Sequence, residues 1–202
     1  MFKYFIAVVI AMSLTLNQFN FFSVNKPSEK LITMAINAWR YEKHLNPTLK
    51  PIVTIIDYSQ PSNVRRLFVI DITTGKILYS EFVAHGINSG SGAYAKSFSN
   101  TINSKKSNIG VLITGETYIG KHGLSLRLHG KEPGFNTNAY TRSIVIHGSK
   151  YVNKNYVGHS WGCPALDQAI SSKIIDLIKN NSLIFAYYPD SIWLHTSKYL
   201  GN

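Results

Sequence analysis

The sequence predicts a mostly β fold, a sandwich or barrel with one or two flanking helices and a further helix on its N-terminal side. Short apolar runs recur from Ile52 onward between Gly, Asn and Ser breaks. Aromatic residues make up 12% of the 202 residues, while acids are few. Only two stretches of the mature region carry a helical period. The chain is 45% hydrophobic and 15% charged, enough apolar residue to bury a core. That excludes a disordered tail, a coiled coil or a collagen-like repeat.

Met1 to Leu16 reads as Lys3 followed by an apolar run too short for a bilayer span and of the length of a signal-peptide core. Residues 1–22 are therefore expected to be a signal peptide or a signal anchor. Left uncut, the segment would tether the chain to the inner membrane. Export places the rest in the periplasm or cell envelope. Residues 23–50 form a helix and linker. Ser28 is the expected N-cap, with Leu31, Met34, Ala35, Ala38 and Leu45 on one face, and Asn46-Pro47 and Pro51 end the helix. Residues 51–202 form the main domain. Strands are expected over Ile52–Asp57, Arg66–Ile72, Lys76–Ala84, Gly110–Thr114, Leu124–His129, Ser143–His147 and Ser182–Tyr188, and Thr74-Gly75 closes a hairpin. Leu166, Ile170, Ile174, Leu177 and Ile178 mark the second helix, with Asp167 in its first turn and Asn180-Asn181 at its end.

The net charge is +11, which suits an anionic partner. Between Phe82 and Leu166 stand nine Lys or Arg against Glu116 and Glu132, together with five of the seven histidines. A solvated basic face explains this, and so does a site that attracts carboxylates. Basic charge with many aromatics also fits a single-strand nucleic-acid binder; export argues against that partner. The chain has one cysteine, so it has neither an internal disulfide nor a thiolate metal cluster. In an oxidising compartment a lone Cys163 implies an intermolecular bridge or a reactive thiol.

The chemistry gathers between Arg142 and Leu166. A strand delivers His147 at its end, where Gly148 breaks it, and a polar loop leads to Cys163 between Gly162 and Pro164. Gly162 leaves the thiol approachable and lets backbone amides point at a reacting carbonyl. Pro164 suits the first turn of a helix, which would put Cys163 at the positive end of a dipole and favour its thiolate. A cysteine with a base in reach is the minimum for covalent acyl transfer, and fast labelling near neutral pH is the expected signature.

Read whole, I-V-I-H-G followed by S-x-G-C resembles the signature of the murein L,D-transpeptidase (YkuD-like) catalytic domain. F-V-I-D-I-x-T-G-K-I-L-Y-S, A-H-G-I-N-S-G, F-S-N, G-E-T-Y-I-G-K-H-G and S-W-G-C-P-A-L extend the resemblance over roughly Leu67 to Leu200. It implies a YkuD-like mostly β catalytic domain and a cysteine acyltransferase acting on peptidoglycan stem peptides, without a cofactor or metal. Cys163 matches the nucleophile and His147 the general base. Gly148 or Ser149 matches the position that orients the imidazole, and amides around Trp161 and Gly162 the oxyanion hole. Relatives often carry an Arg two residues after the cysteine; Pro164-Ala165 stand here instead, so Arg142 or Arg127 would hold substrate, beside Ser160. An L,D-carboxypeptidase, or a non-catalytic wall-binding module that keeps the fold, is the alternative.

Zinc held by the His-Gly pairs at His85, His129 and His147 is the rival chemistry, though H-E-x-x-H is missing. His122 reads as a solvated turn residue, and His159 as an exposed loop residue or a substrate contact. Trp161 would wall the cleft or stack on a sugar ring.

Overall fold

The computed structural model describes residues 26–201; the expected signal segment lies outside them. Helix α1 (Glu29–Leu45) begins where Ser28 Oγ accepts the Leu31 amide at 3.2 Å. Its buried face is Leu31, Ala35, Ala38 and Glu42. Leu45, expected on that face, is exposed in the last turn of the helix. Glu42 replaces it as the inward residue. Its carboxylate accepts Tyr199 Oη at 2.7 Å and pairs with Lys131 Nζ at 3.0 Å, which is what makes burial of the charge tolerable.

The strands are β1 (Ile52–Asp57), β2 (Leu67–Asp71), β3 (Ile77–Glu81), β4 (His85–Gly86), β5 (Gly110–Gly120), β6 (Gly123–Gly130), β7 (Val145–Ser149), β8 (His159–Ser160), β9 (Ala165–Asp167) and β10 (Leu183–Tyr187). Helices α2 (Gln168–Ile178) and α3 (Ser191–Thr196) complete the set. Eight strands make one mixed sheet in the order β3-β2-β1-β10-β5-β6-β7-β9, and β4 pairs with β8 in a small parallel ribbon. Period-2 alternation separates two cores. Val53, Ile55, Phe68, Ile70, Val111, Leu183 and Phe185 face α1 and Trp193. Ile56, Leu67, Val69, Leu112 and Ile184 share the opposite core with Leu126, Leu128, Ile146, Leu166 and the α2 residues Ile174, Ile175 and Ile178. Residues from both halves of the sheet meet in that second core, so the sheet bends round it. The mostly β expectation holds.

The Thr74-Gly75 hairpin joins β2 to β3, with Gly75 at φ +70. Asn180 and Asn181 follow α2 in left-handed backbone, as their type suggests. Three local expectations fail. Gly148 does not end its strand: β7 runs through it, flanked by β6 and β9. Its missing side chain serves packing instead, since a Cβ there would collide with Ser171 Oγ and meet the α2 backbone at 3.2 Å. Pro164 does not open a helix, because Ala165–Asp167 first pair with β7 as a parallel strand. The helix then starts at Gln168, capped by Asp167 Oδ1 on the Ala169 amide at 2.9 Å. Finally, β5 runs to Gly120 rather than stopping at Thr114. An irregularity between Thr114 and Thr117 turns its outer half, so the β5–β6 hairpin projects toward the site.

Candidate active site

β7 and β9 bring the two reactive groups together. His147 is the central residue of β7, and Ala165 lies opposite it. Two residues back along that partner segment is Cys163, so the register puts it beside Val145. A single cavity of about 340 Å³ is lined by both residues, by Arg142, Ser160 and Trp161, and by Tyr118, Lys121 and His122 of the hairpin.

The turn that presents Cys163 is built from its own sequence. Ser160 Oγ donates to the Cys163 carbonyl at 2.6 Å and accepts the Gly162 amide at 3.1 Å. Gly162 sits at φ +121, where a Cβ would meet Lys106 O at 2.7 Å and Ile144 Cδ1 at 2.9 Å. Ser107 Oγ pins the same peptide from behind, donating to Gly162 O at 3.2 Å while accepting the Gly86 amide at 3.0 Å. Gly162→Ala is therefore expected to cost about 1–3 kcal/mol of stability through backbone strain and contact, and to displace the thiol. Denaturation midpoints and turnover of the variant read this directly. A midpoint and a rate equal to wild type would contradict it.

His147 is 2% exposed. Its Nδ1 lies 2.9 Å from Gly148 O. A carbonyl only accepts, so Nδ1 carries the proton in the neutral ring and Nε2 keeps the free lone pair. Of the two orienting candidates, Gly148 is the one whose carbonyl meets the imidazole. The Ser149 hydroxyl accepts the Tyr151 amide at 3.4 Å instead. Burial lowers the His147 pKa below its ordinary 6.5, and the charges of His122 and Lys121 lower it further, against the opposing Gly148 bond.

Two features of the surroundings favour the protonated thiol. Sγ donates to Ser143 O at 3.6 Å, and burial raises its pKa above 9.0, although the Val145 amide, Arg142 and Lys121 pull it back. No helix dipole acts on it, since α2 begins five residues later. Burial thus works against the charged form of both groups, which argues for slow rather than fast labelling near neutral pH. Alkylation of Cys163 by iodoacetamide should be slow at pH 7 and climb as the pH rises through 9.0 and beyond. A rate already level at neutral pH would show a thiolate.

The remaining candidates are distributed unevenly. Arg142 lines the cavity, but its guanidinium holds a neighbouring loop, donating to Ser99 O at 2.5 Å, Ser104 Oγ at 3.0 Å and Lys106 O at 2.6 Å. Arg127 is not among the lining residues. It pairs with Glu116 at 3.1 Å and lies over the Tyr118 ring at 4.4 Å. Trp161 is 69% exposed at the cavity mouth, and the Gly162 amide expected in the oxyanion hole is held by Ser160.

The other histidines have separate partners. His85 is buried, accepts Arg66 Nη2 at 2.9 Å and donates to Gly90 O at 3.1 Å; burial and Arg66 lower its pKa to about 4. His129 stacks on Tyr140 with centroids 5.0 Å apart. His159 lies 4.9 Å from the His85 ring and within 3.1 Å of Gly92 O.

His122 is the exposed turn residue the sequence suggested, with a contact the sequence did not suggest. It remains exposed, but it stacks on His147 at 4.1 Å and 15° and lines the cavity. Continuing the alternation through Gly115–Gly120 into Leu124–His129 would have made the hairpin long enough to find both His122 and Lys121.

A model of the L,D-transpeptidase catalytic domain matches residues 24–187. No curated protein matches the chain significantly. Among solved structures, an L,D-transpeptidase from Mycobacterium smegmatis is 10% identical with TM-score 0.45, covering 68% of this chain and 59% of that one. One from Xylanimonas cellulosilytica is 15% identical with TM-score 0.41, covering 69% and 62%. One from Stackebrandtia nassauensis is 14% identical with TM-score 0.42, covering 77% and 66%. The chain therefore spans about six-tenths of the length of the first two. No helix among the described residues is long and apolar enough to cross a membrane.

Proposed function

Because the chain belongs to the L,D-transpeptidase catalytic domain family, we propose that it is an exported cysteine acyltransferase acting on peptidoglycan stem peptides. The observation that supports this most is the shared cavity of Cys163 and His147, with His147 Nε2 left as the acceptor. The location in the cell envelope rests on the N-terminal segment.

The reaction begins when a stem tetrapeptide places the carbonyl of its third residue against Sγ. His147 Nε2 takes the thiol proton as the S–C bond forms. The oxyanion takes the Cys163 amide, with the side chain of Arg142 nearby as fixed positive charge. The C–N bond then breaks, and the imidazolium returns its proton to the departing D-Ala amine. The thioester keeps the energy of the broken peptide bond, so no nucleotide is consumed. An amine of a second stem attacks it, loses its proton to Nε2 and closes a 3→3 crosslink. Water in place of the amine gives a tripeptide.

Incubating the purified protein with a disaccharide-tetrapeptide and weighing the products by mass spectrometry tests the proposal. A dimer identifies the transpeptidase, and a tripeptide the carboxypeptidase. Unchanged substrate would contradict both.

A further inference from the structure

We propose that Trp161, Lys105 and Lys121 form a carboxylate subsite, which holds the free terminal carboxylate of the residue expelled from Cys163. This deepens the reading above and rests on it for the identity of the peptide.

Trp161 is a large apolar ring left 69% exposed beside the reactive turn, where burial would ordinarily be worth a few kcal/mol. Two ammonium groups from separate segments converge on it. Lys105 Nζ lies 4.5 Å and Lys121 Nζ 5.7 Å from the ring centroid. Lys121 comes from the hairpin tip, and Lys105 from a loop that is held in an unusual shape.

Lys105 has φ +54 and Asn103 φ +61, backbone that residues with a Cβ avoid. The loop is kept there by the three Arg142 donors and by the Asn88 amide on Lys105 O at 3.2 Å. Strain sustained by so many bonds places one ammonium over one indole. Neither lysine has an acidic partner among the described residues: the ion pairs there are Arg65–Glu81, Arg127–Glu116, Lys131–Glu42 and Lys179–Asp176. The cavity lining contains no Asp or Glu either. Two like charges gathered on one ring, without a counter-ion, leave a place for an anion.

The distances select which anion. Trp161 is two residues from Cys163, at most about 7 Å between Cα atoms. In a peptide ending one residue beyond the scissile bond, the terminal carboxylate carbon is three bonds from the attacked carbonyl. That carboxylate reaches the Trp161 edge of the cavity, whereas a longer peptide would place a neutral amide there. Lys121 is also close enough to act electrostatically on both Cys163 and His147, which puts it at the reacting end.

The test is equilibrium binding to Cys163→Ala protein, which holds substrate without turning it over. Stem tetrapeptides ending in D-Ala, with lysine or diaminopimelate at position three, are compared with their C-terminal amides. The carboxylate form should bind about tenfold tighter, the difference typical of a charge-assisted contact. Adding Lys105→Ala and Lys121→Ala, both exposed truncations, should shrink that ratio to within about twofold. An undiminished ratio in the triple variant, equal binding of acid and amide, or binding of neither peptide overturns the subsite. Wild-type protein that forms no thioester refutes the acyltransferase instead, and leaves the ratio to report on the subsite alone.

Discussion

Replacing Cys163 with serine is expected to abolish thioester formation and to lower turnover by about 10³-fold or more, with the denaturation midpoint unchanged. The structural reason for the second half is local. The Ser160–Cys163 turn is fixed by the Ser160 hydroxyl, by Gly162 at φ +121 and by Ser107, none of which uses the sulfur. A serine hydroxyl is smaller than the thiol and can donate to the same Ser143 carbonyl. The chemistry fails because burial already raises the thiol pKa, and the same surroundings leave an alcohol beyond the reach of an imidazole whose own pKa is lowered. A serine variant that crosslinks as fast as wild type would end the assignment.

His147→Gln is the second large loss, about 10²–10⁴-fold in turnover. Glutamine can still bond Gly148 O but offers no basic nitrogen at the Nε2 position. The thiol, whose pKa burial raises, then loses its proton acceptor. The pH profile carries the sign. A His147 pKa held below 6.5 by burial and by neighbouring positive charge keeps the base neutral to lower pH. Wild-type activity should therefore persist as the pH falls past 6.5 and decline only below it. His147→Gln should lack that acid limb and gain rate toward high pH, where solvent deprotonates the thiol. The same acid limb in the variant would move the base elsewhere.

The sheet was legible because short apolar runs between Gly, Asn and Ser breaks write it openly: Ile52–Asp57, Leu67–Asp71 and Leu183–Tyr187 are apolar on both faces, and both faces are covered. The Gly and Pro around Cys163 were harder. Gly148 and Pro164 read as a strand breaker and a helix starter, but β9 inserts between them and the helix. A three-residue strand has no period to detect, and its pairing with β7 depends on residues eighteen positions away. That missing strand is also why the sulfur looked like a helix-stabilised thiolate. Ser149 and Arg127 stand two positions along their strands from His147 and from its register partner Ser125, hence on the same faces as those residues; alternation could place them there but not show that their side chains meet the Tyr151 amide and the Glu116–Tyr118 pair. His122 became visible only once the β5–β6 hairpin was given its full length, because a tip that long reaches back over His147.

Acyl transfer through Cys163 requires the sulfur to carry the tripeptidyl group of a stem peptide between its two steps. The most direct measurement is the intact mass of the protein quenched in acid during turnover of a stem tetrapeptide, followed by mapping of the modified fragment. The expected result is an adduct of the tripeptidyl acyl group on the fragment containing Cys163, released by hydroxylamine, with free D-Ala in the supernatant. Crosslinked or trimmed product accumulating while Cys163 stays unmodified, or while Cys163→Ser gives the same yield, would contradict it.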